Sequence, residues 1–371
     1  MRVLNLTELE QQALVSHLNM ADGHPRQDPT DEQWKIIHAL PELFEVALAL
    51  PADHIEEHAQ RAFFAMLGQH RAPIADGRVF SVYSSSVATM VVGNVLAQRQ
   101  HRLALLHPTF DNISDLLRRS VTVLPVGEDD CAPPALDEIV QQGATSLFVT
   151  TPNNPTGWYL DSAALKTLAE ACKVNGILLC LDTSFRGFDV RAQYDTYEIL
   201  DRSGVSYIVI EDTGKIWPMA ELKLGFLAVS DDLREAVAHA LSEVLLSVSP
   251  LVLKLVETLS LDAAASGMGA LHELIATNRS RVTAAVADLP GVAVADPDAR
   301  VSVCRLRFDS AEAASRVLGL LRGSGIHLLP CQQFHWARPG EGGRYLRLAL
   351  ARNTVDVDTA LAHLAEATRT R

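Results

Sequence analysis

A lysine that follows a strand and a small-residue turn is placed to form an imine with a carbonyl compound. Lys215 is such a residue: it comes after the apolar run Ile208-Val209-Ile210 and the stretch Glu211-Asp212-Thr213-Gly214. Asp182 closes another apolar run, Leu179-Cys180-Leu181, and a carboxylate at the end of a buried strand needs a partner for its charge. Tyr83-Ser84-Ser85-Ser86 stands between an apolar run and a helical pattern. Backbone N–H groups and hydroxyls at Ser85 and Ser86 suit a phosphate at a helix N-terminus, or serve only to cap that helix. Thr151-Pro152-Asn153-Asn154-Pro155-Thr156-Gly157 follows a further apolar run and, read alone, is a Pro/Asn/Gly turn.

The elements that must position these groups alternate. Val79–Tyr83, Arg102–Leu106, Val121–Val126, Thr145–Thr150, Ile177–Leu181 and Ser206–Ile210 read as strands, with helices at Ser85–Gln98 and Ser162–Val174. Such alternation predicts an α/β domain with a mostly parallel sheet between helices. In open sheets of this kind, ligands sit beyond the carboxyl ends of the strands, where Asn154, Asp182 and Lys215 fall. A helix over Leu233–Ser260, interrupted near Pro250, leads to a smaller α+β part with strands at Val301–Phe308, His327–Leu329 and Tyr345–Leu350. Leu4–Leu18 reads as a short amphipathic helix, and the polar stretch Asn19–Pro29, broken by Gly23, Pro25 and Pro29, as a mobile arm. The expected division is an arm over residues 1–30, a large domain over 31–250 and a small domain over 251–371.

Composition bounds the rest. The chain has 371 residues, 48% hydrophobic and 21% charged, as in globular proteins. Lys and Arg number 32 against 45 Asp and Glu, a net charge of −13, which argues against a nucleic-acid or anionic-membrane partner. Five cysteines in no C-x-x-C spacing predict neither a disulfide framework nor a zinc site, and fit a reducing cytoplasm. The most apolar stretch, Val244–Leu261, contains Pro250, Lys254 and Glu257, so no membrane span is expected.

Together these segments resemble the fold-type-I, class I/II aminotransferases, which depend on pyridoxal 5′-phosphate (PLP). The resemblance runs from about Val79 to the C-terminus. It implies that Lys215 carries the cofactor as an imine. It also implies that Asp182 pairs with the pyridinium nitrogen, that Asn154 bonds the phenolate oxygen, and that Ser85, Ser86 and Lys223 hold the phosphate. Phe110 would stack on the ring, unless it is a core residue. Arg347, in Tyr345-Leu346-Arg347-Leu348, would grip the substrate carboxylate bidentately, unless it is a surface arginine. There are departures. Phe185 stands where most of the family has a tyrosine, and Lys223 replaces an arginine, supplying charge without the planar fork. Asp212 replaces a serine or threonine that faces the phosphate. An acid there would repel the phosphate, so Asp212 is expected to turn away, towards substrate.

The segments Asp182–Phe188 and Glu211–Trp217, with the arm, resemble one branch of that family: PLP-dependent L-arginine oxidases and hydroxylases of guanidine-containing natural-product pathways, as in enduracididine biosynthesis. By that resemblance Thr7, Glu10, Asp22 and His24 close over the substrate, the acids of the arm hold its guanidinium, and His24 directs hydroxylation. A guanidinium needs carboxylates, and Glu10, Asp22 and Asp212 are the candidates. Read from the residues, Thr7-Glu8-Leu9-Glu10 is also a capping box, and His24 also suits a solvated loop. The implied reaction is oxidation of L-arginine by O2, without metal or flavin, to 4-hydroxy-2-ketoarginine with ammonia and peroxide. Alternatives are an unsaturated keto acid or 2-ketoarginine as product, or ordinary transamination with a 2-oxo acid. A PLP-binding transcriptional regulator is disfavoured, because the residues before the body are few and not basic. A homodimer is implied, since the family builds each site from both subunits.

Overall fold

Apolar runs bounded by turn residues become strands that are buried on both faces. The computed structural model describes residues 4–131, 133–219 and 222–370. In chain order the strands are β1 (Leu18–Asn19) in the arm, then β2 (Val79–Val82), β3 (Arg102–Leu106), β4 (Thr122–Val126), β5 (Ser146–Thr150), β6 (Leu178–Asp182), β7 (Tyr207–Asp212) and β8 (Gly225–Val229). The last seven form one sheet in the order β2-β8-β7-β6-β5-β3-β4. All neighbours are parallel except those of β8, which runs antiparallel to β2 and to β7. Side chains alternate between two cores. Leu179 and Leu181 enter one, Leu178 and Cys180 the other, as the period of a strand requires.

β8 is absent from the sequence reading. It lies between the lysine turn and a helix, and its short apolar run, Phe226–Val229, carries no alternation to mark it. Its register, with Gly225 opposite both Val82 and Asp212, brings the end of β2 close to the end of β7. The long helix expected over Leu233–Ser260 is instead two helices, Arg234–Ser242 and Pro250–Ser266. Pro250 opens the second, where its missing N–H costs nothing. That helix packs Leu253, Val256 and Leu259 into the core of the large sheet, with Phe63 and Phe64 of helix Ala52–Met66.

The C-terminal strands are β9 (Val292–Val294), β10 (Val303–Phe308), β11 (Ile326–His327), β12 (Leu329–Pro330) and β13 (Tyr345–Ala349). β12-β13-β10-β9 make an antiparallel sheet. Ile275, Val282, Val317 and Leu364 from three helices cover it.

The arm, read as mobile, is docked along its length. Its helix is Leu6–Ala13, shorter than expected, and Leu6, Leu9 and Ala13 pack against Leu329, Cys331 and Phe334. β1 pairs in parallel with β11. Met20 then donates to His327 O at 2.9 Å and accepts from Ala349 N–H at 2.9 Å, so the arm runs beside the small domain up to the strand that carries Arg347.

Candidate active site

The carboxyl ends of β2, β5, β6 and β7 and the docked arm surround a cavity. Lys215, Asp182, Asn154, Phe110, Ser85, Ser86, Lys223, Arg347, Asp212, Thr7, Glu10 and His24 all line it. Of the thirteen residues singled out from the sequence, Asp22 alone is absent from the lining.

Asp182 is the last residue of β6 and is buried. Its Oδ1 accepts from Ser184 N–H at 3.0 Å and Ser184 Oγ at 2.5 Å. Burial pushes this carboxyl above its ordinary range. The Asp212 charge adds to that, while the Ser184 hydrogen bonds and the Lys215 charge oppose it. A buried acid in this state favours a cationic partner, and a protonated ring nitrogen is one. Asn154 is held by Arg347, whose Nη1 donates to its Oδ1 at 2.9 Å; its amide nitrogen is then the end that can donate to a ligand. The turn that carries Asn154 closes at Gly157, where φ is +75° and a Cβ would come within 2.4 Å of Ala299 Cβ, so only glycine fits.

Lys215 Nζ lies 3.3 Å from His24 Nε2 and 5.9 Å from the centre of the Phe185 ring. His24 Nδ1 lies 2.5 Å from Asp22 Oδ1. The other Asp22 oxygen accepts from Arg26 Nε at 3.0 Å and Nη2 at 2.8 Å. Burial acts to raise the Asp22 carboxyl, but the hydrogen bonds and charge of His24 and the charge of Lys215 outweigh it and hold the acid well below its usual range. Asp22, expected on the substrate guanidinium, is therefore committed to the arm's own groups. It orients His24 with Nδ1 towards the acid and Nε2 towards Lys215. Arg352 fixes the same loop: its guanidinium donates to Asn19 O at 2.8 Å, His24 O at 2.7 Å and Asp22 O at 2.6 Å. The sequence reading missed Arg352, since an arginine just past a strand end is ordinarily exposed.

The capping-box alternative for Thr7 and Glu10 is overturned. The box is Asn5 with Glu8: Glu8 N–H donates to Asn5 Oδ1 at 2.8 Å and Asn5 N–H to Glu8 Oε2 at 3.0 Å. Thr7 and Glu10 are thereby left to face the cavity. Glu10 meets Arg347, whose Nη2 donates to Oε1 at 2.8 Å and also to Ala21 O. Arg347 is fully buried and its Nε has no hydrogen-bond partner. An orphaned guanidinium donor beside a borrowed carboxylate marks a receptor for a carboxylate ligand.

Asp212 corrects another expectation. Rather than turning away from the phosphate site, its Oδ2 accepts from Ser85 N–H at 3.1 Å and its Oδ1 from Gly214 N–H at 2.7 Å. The first N–H groups of helix Ser85–Gln98 lack partners within the helix, and the acid supplies one. Ser84 caps the helix, accepting from Val87 N–H, and Ser86 Oγ accepts from Asn112 Nδ2 at 2.9 Å. The acid meets a backbone donor that a bound anion would otherwise use, and Ser85, Ser86 and Lys223 line the same cavity. The residues therefore fit PLP: an anion cradle, a buried carboxylate for the ring nitrogen, an amide for the phenolate and an amine for the aldehyde.

Comparison with known proteins agrees with this geometry. The profile of the family "Aminotransferase class I and II" matches residues 64–364. LL-diaminopimelate aminotransferase of Nitratidesulfovibrio vulgaris is 25% identical over 267 residues, 70% of this chain and 67% of that protein. Histidinol-phosphate aminotransferase of Roseiflexus castenholzii is 25% identical over 51% of this chain and 48% of its own length. The chain thus aligns with about half to two thirds of these curated relatives. Aspartate aminotransferase of Thermus thermophilus with maleate shares the fold, with a TM-score of 0.78 at 17% identity over 99% of this chain and 97% of that one. The structure of MppP soaked with the product 2-ketoarginine superposes with a TM-score of 0.91 at 43% identity, covering 95% of this chain and 99% of that one.

Sheet order, lysine turn and anion cradle are those of a fold-type-I PLP-dependent enzyme, and the chain belongs to the class I and II aminotransferase family. Within that family the chain groups with MppP, at 43% identity over nearly the full length of both chains.

Proposed function

We propose that the protein oxidises L-arginine with O2, giving 4-hydroxy-2-ketoarginine, ammonia and peroxide, as one step in building a guanidine-containing natural product. The observation that carries this reading is the arm. It brings a histidine to 3.3 Å from the cofactor lysine and lines the same cavity with Thr7 and Glu10. The likeness to MppP supports it further, since MppP was soaked with the product 2-ketoarginine.

PLP, when bound, supplies the electron sink for the bond broken at Cα. The protein does the rest. Arg347 takes the substrate carboxylate through Nε and Nη2, displacing Glu10, and keeps Asn154 in place through Nη1. Displaced Glu10 is the cavity carboxylate available to the guanidinium, since Asp212 spends both oxygens on the N–H groups of Ser85 and Gly214. Lys215 Nζ, once released, removes the Cα proton. His24 Nε2, with its tautomer set by Asp22, serves as general base for water adding at C4. The docked arm excludes bulk water until that addition.

Deamination to 2-ketoarginine removes one electron pair. Hydroxylation at C4 with oxygen from water removes a second. The hydroxylated product therefore requires two O2 per ammonia and releases two peroxides, whereas 2-ketoarginine requires one of each. The test is oxygen uptake by PLP-loaded protein with L-arginine and no keto acid. Uptake at two O2 per ammonia, with the matching product mass, is expected. No uptake, but turnover once a 2-oxo acid is supplied, would make the enzyme an ordinary aminotransferase.

The working unit in this reading is a homodimer. Helices Asp31–His38 and Leu40–Ala49 bury none of their residues fully. They expose Trp34, Phe44 and Leu48, apolar surface that a second copy would cover. The reading places the enzyme in the cytoplasm, where its five buried free thiols stay reduced. Among the described residues no helix is long and apolar enough to cross a membrane.

A further inference from the structure

Behind the wall of the cavity lies a cluster that the PLP site does not use. His107 directly follows β3, on the loop that leads to Phe110. His335 follows Phe334, on the loop after β12, and Glu341 sits on the short turn Pro339–Gly342. The two imidazoles meet edge to face with centroids 5.3 Å apart. They are 5% and 6% exposed, and none of their four ring nitrogens has a hydrogen-bond partner. A buried neutral imidazole carries one N–H and one lone pair, and both are ordinarily satisfied. Two adjacent rings with neither satisfied call for a ligand between them.

Glu341 Oε2 lies 3.7 Å from His107 Nε2 and 3.8 Å from His335 Nδ1, too far for hydrogen bonds. One ligand atom from each residue lies within 4.8 Å of the others. Adjacent ligands of a tetrahedral zinc ion, with bonds of about 2.0–2.1 Å, stand about 3.3 Å apart. Small rotations of the rings and of the half-exposed Glu341 close that gap. We propose that His107, His335 and Glu341 form a binding site for a divalent transition metal of the zinc class, joining the large and small domains.

The surroundings suit a cation. Two arginines stand near, and both are engaged. Arg305 is paired bidentately with Asp296 at 2.8 Å, and Arg338 donates to Glu341 Oε1 at 3.0 Å, leaving Oε2 for the metal. Gly342 permits the approach: a Cβ there would come within 2.7 Å of His335 Cδ2 and 2.4 Å of Cys331 O. Three protein ligands leave a fourth position for water on the exposed side of Glu341. The metal would tie the loop bearing Phe110 to the loop bearing Phe334, whose rings already meet at 5.8 Å.

The experiment uses tag-free, PLP-loaded protein, treated with a chelator, passed through gel filtration and titrated with zinc chloride. Bound zinc is counted by plasma emission and melting is followed by calorimetry. One zinc per chain is expected, with a melting point that rises with zinc concentration. Glu341→Gln changes a half-exposed position and keeps the fold, and should weaken zinc binding at least tenfold. His335→Asn should abolish it. Cobalt(II) should give tetrahedral ligand-field absorption in the parent protein and lose it in Glu341→Gln. Failure of the parent protein to take up stoichiometric zinc would overturn the site and leave only water between the rings. Equal uptake by Glu341→Gln and His335→Asn would overturn it as well, by placing the metal elsewhere.

Discussion

In the proposed reaction Lys215 and His24 divide the chemistry: amine and imidazole stand 3.3 Å apart, and the imidazole has the Asp22 carboxylate behind it. Lys215→Ala should lose all turnover and the absorbance of the cofactor imine; a spectrum and an activity unchanged from the parent would remove the lysine from its role. His24→Ala should keep oxygen uptake while the hydroxylated fraction of product falls about a hundredfold, the low end of what a general base contributes. Asp22→Asn should move product the same way but less far, since the amide still holds the ring and no longer stabilises its charged form. Product analysis by mass distinguishes these outcomes, and an unchanged ratio in both variants would return His24 to an ordinary loop residue. At this scale the sequence was informative where a residue type is unusual for its place: a carboxylate at a buried strand end, a lysine after a turn. It was silent on pairing. Nothing in the segment Asp22-Gly23-His24-Pro25-Arg26 says that Asp22 spends both oxygens on its neighbours, and Glu10 meets Arg347 across almost the whole chain.

The arm is the element on which the proposed specificity depends, and two contacts decide whether it stays down. Arg352 donates to three of its backbone carbonyls. Burial lowers this guanidinium to about 10, which leaves it charged at neutral pH. Hydrogen bonds from charged groups are worth about 1.5–3 kcal/mol each and do not simply add. Arg352→Ala should therefore open the arm by about 2–3 kcal/mol, on the order of a hundredfold in the docked population. KM for arginine should rise while the cofactor absorbance is unchanged. The second contact is Asp111, whose Oδ2 accepts from Leu6 N–H at 2.8 Å at the start of the arm helix. Burial raises this carboxyl to about 7, with Asp115 and Glu10 adding to the effect and the Leu6 N–H opposing it. The docked state thus binds a proton that the open state releases between about pH 4 and pH 7. Docking is strongest below that window and weakens as pH rises through it. Hydrogen-exchange protection of the arm, corrected for intrinsic rates, should fall across this window in the parent protein and stay level in Asp111→Asn. The arm helix was legible as an amphipathic pattern, but its true cap, Asn5, was hidden by a competing match at Thr7 and Glu10. β8 was hidden because a short apolar run after a lysine turn carries no alternation to mark it.

For the molecule as a whole, the parallel sheet could be read from alternation alone, because its strands are buried on both faces and flanked by helices. The helices of residues 31–66 could not, because their apolar residues serve two surfaces. Ile36 and Ala47 pack inward on the large core, while Trp34, Phe44 and Leu48 remain 45%, 50% and 72% exposed. Helix Leu40–Ala49 has four apolar side chains open to solvent or nearly so at Leu50, Val46, Leu48 and Phe44, counting its C-terminal flank. Water contact on that much clustered apolar surface costs about 25 cal/mol per Å², and association with a second copy removes it. Sedimentation velocity at micromolar concentration should give a dimer for the parent chain and a monomer for the double variant Phe44→Glu, Leu48→Glu. Both substitutions lie on exposed positions, so the melting of the large-domain core should survive them. If the second subunit completes the site, oxygen uptake per chain should fall with the dimer population and recover at high protein concentration. A monomeric parent chain would mean that this face meets something else, while uptake independent of association would mean that each chain builds its site alone.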